Sequence, residues 1–130
     1  MPPVRVLIAD DSPAVMENVV EMLQDDFVIA AAVPNGCAAL REIAKVNPDV
    51  VVLDISLGDM TGFDVARRLR EMKCPARIVF LTVHESPDFV RAALELGVSG
   101  YVFKSRASSD LVDAIKAASR GEEFLPAGYR

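Results

Sequence analysis

Val50-Val51-Val52-Leu53-Asp54-Ile55-Ser56-Leu57-Gly58-Asp59-Met60-Thr61-Gly62 is the stretch on which the fold turns. Its first four residues are apolar, three of them β-branched, and read as a strand buried on both faces. The run stops at Asp54, and a glycine-containing turn follows. Asp54 therefore sits at the carboxyl end of a strand. In an open parallel sheet that edge is where ligands bind, so an acid placed there is a candidate for chemistry. Its plainer role would be a cap on the turn.

Working outward, the same pattern recurs on both sides. Val4 to Ala9 is a first strand, ended by Asp10-Asp11-Ser12-Pro13, where Asp11 or Ser12 can cap a helix and Pro13 fits its first turn. Val15, Met16, Val19, Val20, Met22 and Leu23 give that helix an apolar stripe. Phe27 to Val33 is the second strand. Asn35-Gly36 opens a second helix, with Ala38, Ala39, Leu40, Ile43 and Ala44 inward, and Asn47-Pro48 closes it. A third helix runs from about Gly62 to Met72, with Arg67, Arg68 and Arg70 as its solvated face. Arg77 to Thr82 is the fourth strand, Ser86-Pro87 caps a helix from Asp88 to Leu96, and Gly97 stops it. Gly100 to Phe103 is a short fifth strand ended by Lys104, and Ser108 or Ser109 begins a last helix that stops near Gly121. Five strands alternating with five helices at short connections specify an α/β fold, a doubly wound parallel sheet covered on both faces.

Composition narrows the function classes. A chain of 130 residues, 52% hydrophobic and 25% charged, is one ordinary globular domain. Its longest apolar run, Phe27 to Val33, is far short of the roughly 20 residues needed to span a bilayer. After Met-Pro-Pro the chain enters a strand pattern with no basic region or apolar signal segment, which reads as cytoplasmic. A net charge of −5 argues against a broad grip on phosphate backbones, so nucleic acid is not this segment's own ligand. Cys37 and Cys74 lack metal-ligand or redox spacing and read as small apolar fillers. His84 is the only histidine, so a His-based zinc cluster cannot form.

Four of the five strands end in a polar functional group: Asp10-Asp11, Asp54, Thr82 and Lys104. In a parallel sheet these ends share one rim, so residues far apart in sequence converge. Singly, each has a bland role as helix cap, strand-end hydroxyl or turn cation. Together they make a site. Three carboxylates in one place repel, and burying them without a partner would drive some to protonate. Oxygen-only ligands in an open cluster favour Mg²⁺, and Lys104 supplies a second, mobile positive charge. In that setting Asp54 is a plausible nucleophile toward phosphorus.

This set of residues, each after its own strand, resembles the response-regulator receiver domains of two-component signalling over almost the whole chain. The resemblance implies a flavodoxin-like sheet of strand order 2-1-3-4-5. It also implies a signalling module rather than an enzyme with free turnover, though one able to lose its own phosphoryl group. Asp54 would be the phosphoacceptor, taking its phosphoryl group from a sensor histidine kinase. Asp11 would bind Mg²⁺ directly and Asp10 largely through water, with Asp54 and the Ser56 backbone carbonyl completing the ligands. Thr82 and Lys104 would hold the phosphoryl oxygens. Tyr101 matches the aromatic switch position. By the family's mechanism Thr82 would move toward the phosphoryl group and Tyr101 would turn inward into the space vacated, reshaping the face of the fourth helix, fifth strand and fifth helix, through which a phosphorylated homodimer is expected.

Tyr101 to Arg106, with Leu111, Ala114-Ile115 and Gly121 to Pro126, resembles the NarL/FixJ (LuxR-like) subgroup. That likeness implies a receiver domain over residues 1–121, then a tail or linker start at 122–130 leading to a helix-turn-helix output domain that binds DNA and controls transcription. A stand-alone receiver, a degenerate receiver scaffold, and a small aspartyl-phosphate phosphohydrolase are the alternatives. The hydrolase is disfavoured because the first strand ends in adjacent aspartates rather than D-x-D. The chain departs from the family at three places. Ser105 stands where many receivers have proline. Gly58 also replaces a common proline. Val83 stands where a small residue is usual and could narrow the approach to Asp54. His84, two residues past Thr82, lies near the mouth of the site, where it either affects water access and partner contact or is an ordinary exposed loop residue.

Overall fold

A computed structural model describes residues 3–129. The elements run β1 (Arg5–Ala9), α1 (Pro13–Leu23), β2 (Val28–Val33), α2 (Gly36–Val46), β3 (Val50–Leu53), α3 (Gly62–Glu71), β4 (Arg77–Thr82), α4 (Pro87–Glu95), β5 (Gly100–Phe103) and α5 (Ala107–Ser119), with a 3-10 turn at Lys104–Arg106. The five strands pair in parallel throughout and the sheet order is β2-β1-β3-β4-β5. The sheet is doubly wound, as the alternation of strands and helices predicts, and its order is the one the resemblance to receiver domains implies.

The sheet is apolar on both faces because its strands carry hydrophobic side chains at odd and even positions alike. Leu7, Val51, Leu53, Phe80 and Tyr101 point to one face with Ala39, Ile43, Val65, Leu69 and Ala93. Val6, Ile8, Val50, Val52, Val79, Leu81 and Val102 point to the other with Val19, Leu23, Leu111 and Ile115. Each fully buried Val, Leu or Phe contributes about 1.5–3 kcal/mol, so these two layers hold the sheet rigid beneath its rim.

The helices start on the caps that the sequence supplies. Ser12 Oγ accepts from Val15 N at 3.3 Å, Asn35 Oδ1 from Ala38 N at 2.8 Å, and Ser86 Oγ from Asp88 N at 3.2 Å. Thr61 and Asp64 form a reciprocal capping box at 3.1 and 3.0 Å. Asn47 closes α2 in the left-handed conformation, φ 48°, just before Pro48.

Three local readings need correction. Phe27 belongs to the turn after α1, where its N–H bonds Leu23 O at 3.0 Å, and the strand starts at Val28. Ala44 is exposed, because one more inward residue would lie beyond the width of the α2 stripe. α5 starts at Ala107 and not at Ser108 or Ser109. The chain passes from β5 through the 3-10 turn directly into helix, and Ser109 Oγ instead donates back to Arg106 O at 3.1 Å. After α5, residues 122–129 return along the outer edge of β5, where Phe124 pairs in parallel with Gly100.

Candidate functional site

Strand register explains why the predicted residues meet. Ala9 pairs with Leu53, so Asp10 and Asp54 leave adjacent strands side by side. Thr82 pairs with Phe103 on the far strand, and Lys104 follows Phe103. Carboxylate oxygens of Asp10, Asp11 and Asp54 lie within 4.8 Å of one another. Asp10 and Asp54 are each only 4% exposed, whereas Asp11 faces solvent. Lys104 Nζ reaches both buried acids, 2.9 Å from Asp10 Oδ2 and 3.0 Å from Asp54 Oδ2.

These contacts set the charge state of Lys104. Burial pushes its ammonium down, but the hydrogen bonds to Asp10 and Asp54, together with their charges, outweigh that and hold it above its ordinary value. Three carboxylates against this one ammonium leave two negative charges uncompensated within the cluster. A hard divalent cation matches that deficit, and an all-oxygen donor set with one exposed member leaves room for water, as Mg²⁺ prefers. The residues present therefore fit such an ion.

Thr82 and Tyr101 are joined through His84. Thr82 is fully buried, and its Oγ1 accepts from His84 N at 3.3 Å. Tyr101 is also fully buried and donates its hydroxyl to His84 O at 2.7 Å. Burial first, then nearby Tyr129 and Asp54, push the Tyr101 hydroxyl well above its usual range, which keeps it a donor. The Tyr101 ring thus lies inward, with its hydroxyl on the loop after β4. Ser56, the expected carbonyl ligand, is exposed two residues past Asp54. Its N–H points to Asp54 Oδ1 at 3.4 Å and its Oγ lies 3.1 Å from His84 Nε2. His84 is therefore not an ordinary exposed loop residue, because its ring bridges the two loops beside Asp54 and packs 4.6 Å from Phe89.

Residues 6–116 match the model of the response regulator receiver domain family. The chain belongs to that family. Among curated relatives, this receiver is 31% identical over 124 residues to the probable transcriptional regulatory protein NarL of Mycobacterium tuberculosis, an alignment covering 94% of this chain and 57% of that protein. It is similar to a two-component response regulator of the LuxR family from Aurantimonas sp. SI85-9A1, with 30% identity, TM-score 0.92 and coverage of 98% and 93% of the two chains. It also matches the isolated REC domain of RcsB from Salmonella enterica serovar Typhimurium, determined with the phosphomimetic BeF3-, at 26% identity, TM-score 0.89 and 98% and 96% coverage. The receiver spans between about half and three-fifths of the length of the first curated relatives it matches, 59%, 47% and 60%.

Two features of the receiver's site loop escaped sequence reasoning. Asp59 Oδ1 and Oδ2 accept from Gly36 N and Cys37 N, both at 2.9 Å, tying the loop after β3 to the start of α2. The bonds from Cys37 and Gly36 hold the Asp59 carboxyl below the usual range. Gly62 packs so tightly that a Cβ there would strike the backbone carbonyl of Asp54 and the Phe80 ring. The residue that makes α3 approach the acid is thus legible only in three dimensions. Gly58 has φ +86°, a value closed to proline, so the proline common at this place in the family could not adopt this backbone.

Proposed function

We propose that Asp54 accepts a phosphoryl group from a phosphohistidine of a sensor histidine kinase and that this covalent change switches the receiver. A carboxylate oxygen of Asp54 attacks phosphorus and forms a P–O bond. The P–N bond breaks, its electron pair leaves with the imidazole nitrogen, and that nitrogen takes a proton from solvent. Lys104, already beside Asp54 Oδ2, stabilises the negative charge on the transferring oxygens, and the Thr82 hydroxyl turns from His84 N to the same oxygens. Asp10, Asp11 and Asp54 would hold Mg²⁺ with the Ser56 backbone carbonyl. When bound, the ion neutralises the acids and the incoming phosphoryl group. The observation that carries this reading is the uncompensated charge around one buried acid that keeps a cation at its side.

The module is a switch that accepts and slowly hydrolyses its own acyl phosphate, without free substrate turnover. We place it in the cytoplasm, consistent with the lack of any helix long and apolar enough to cross a membrane among the described residues. Residues 1–121 would be the receiver and 122–130 the start of a linker to a helix-turn-helix output domain that contacts DNA. Met1, Pro2 and Arg130 lie outside the described residues. Phosphorylation would favour a homodimer through the α4-β5-α5 face. Incubation with Mg²⁺ and a small-molecule phosphodonor, followed by intact-mass measurement, tests the reading. Wild type should gain one acid-stable, base-labile phosphoryl group and Asp54→Asn none; equal gain by both proteins would refute it.

A further inference from the structure

The chain turns at Gly121, φ +76°, and lays residues 122–129 on β5. Phe124 N donates to Ser99 O at 2.9 Å, and Tyr101 N donates to Phe124 O at 3.1 Å. The segment ends on Tyr129, whose ring stands edge-on to Phe103 at 5.7 Å and whose hydroxyl donates to Glu85 O at 2.5 Å. The neighbouring carbonyl, His84 O, is the one that holds the Tyr101 hydroxyl. Phe103 packs between the two tyrosine rings, 5.9 Å from Tyr101 and also edge-on.

Two hydroxyls therefore grip consecutive carbonyls of the β4–α4 loop, one from β5 within the sheet and one from the segment after α5. The loop cannot shift without giving up both bonds. It is also tied to the site, since His84 Nε2 lies 3.1 Å from Ser56 Oγ, two residues past Asp54. We infer that Tyr129 is a positioning residue that locks the β4–α4 loop with Tyr101 inside, so that docking of residues 122–129 on β5 and occupation of Asp54 by a phosphoryl group reinforce each other. The inference rests on the phosphoacceptor reading of Asp54 and adds a second tyrosine that reads the same loop. Coupling of this kind is reciprocal. The phosphoryl group strengthens the tail's hold by the same factor as the docked tail strengthens phosphoryl binding.

Tyr129→Phe keeps the ring against Phe103 and removes only the bond to Glu85 O. Beryllofluoride with Mg²⁺ serves as the phosphoryl mimic, titrated by NMR, with amide exchange at Phe124 and Tyr101 followed in the same samples. Removing one neutral hydrogen bond should weaken mimic affinity about five-fold. In wild type the mimic should slow Phe124 exchange by a similar factor. A chain ending at Pro126 should show the same weakened affinity as Tyr129→Phe. Equal affinities across wild type and both variants, or Phe124 exchange indifferent to the mimic, overturn the coupling alone. If wild type binds no mimic, the phosphoacceptor reading fails first and the coupling falls with it.

Discussion

The two rims of the sheet are built from the same strands and treat charge in opposite ways. At the amino rim, polar groups are matched where the strands begin. Arg5 N donates to Asp49 Oδ2 at 2.8 Å, the Arg5 guanidinium to Asn47 O at 3.0 Å, and Asp49 backbone groups join Arg5 O and Arg77 N at 2.8 and 3.0 Å. Its charges lie in or near solvent. At the carboxyl rim two nearly buried acids share one lysine, and Asp54 Oδ1 has only a long contact from Ser56 N at 3.4 Å. Bonds left unmade at that end are what a cation and a phosphoryl group can complete, whereas satisfied bonds at the other end serve only to hold the strands.

Lys104→Met should break this contrast most severely. Losing the cation next to the phosphoryl oxygens should slow phosphoryl uptake about 10²–10³-fold. It also leaves Asp10 and Asp54 buried without their partner, at about 3 kcal/mol, and Mg²⁺ should recover part of that loss. Parallel phosphorylation kinetics and urea unfolding with and without Mg²⁺ measure both quantities. Asp49→Ala at the amino rim should cost about 1 kcal/mol of stability and leave the uptake rate unchanged, because no group there meets the reacting atoms. A changed rate would mean that the rims are not independent.

The pH dependence sharpens the same distinction. The Tyr101 hydroxyl is held above its ordinary value, so its contribution to stability is fully present below about pH 10 and falls as pH rises toward the folded value, because the unfolded tyrosine ionises first. Denaturant melts at about pH 9 and about pH 11 should show this loss in wild type and a shallower one in Tyr101→Phe. The smallest expected effect is at Val83, which is 64% exposed beside the site. Val83→Ala should exchange phosphoryl groups a few-fold faster, and equal rates would remove Val83 as an obstacle to Asp54.

What the sequence revealed follows the range of the interactions involved. β-branched runs ending in Asp10, Asp54, Thr82 and Lys104 disclosed both the sheet and its rim, since a parallel strand carries its end residue to a fixed place. Ser12, Asn35, Thr61 and Ser86 disclosed helix starts, since capping acts within three residues. Asp59 gripping the α2 start, His84 joining Ser56 and Tyr101, and Tyr129 reaching Glu85 bridge 17 to 44 residues. No periodicity encodes such contacts. The true start of α5 was hidden because two serines mimic a cap that the incoming 3-10 turn makes unnecessary.

Site-resolved phosphoryl incorporation, followed by peptide mass spectrometry across a Mg²⁺ titration from a small-molecule phosphodonor, tests the central claim most directly. The charge deficit at the carboxyl rim predicts incorporation confined to Asp54, rising with Mg²⁺ to a plateau and abolished by a chelator. Incorporation on another residue, or at the same rate with the divalent ion removed, would contradict it.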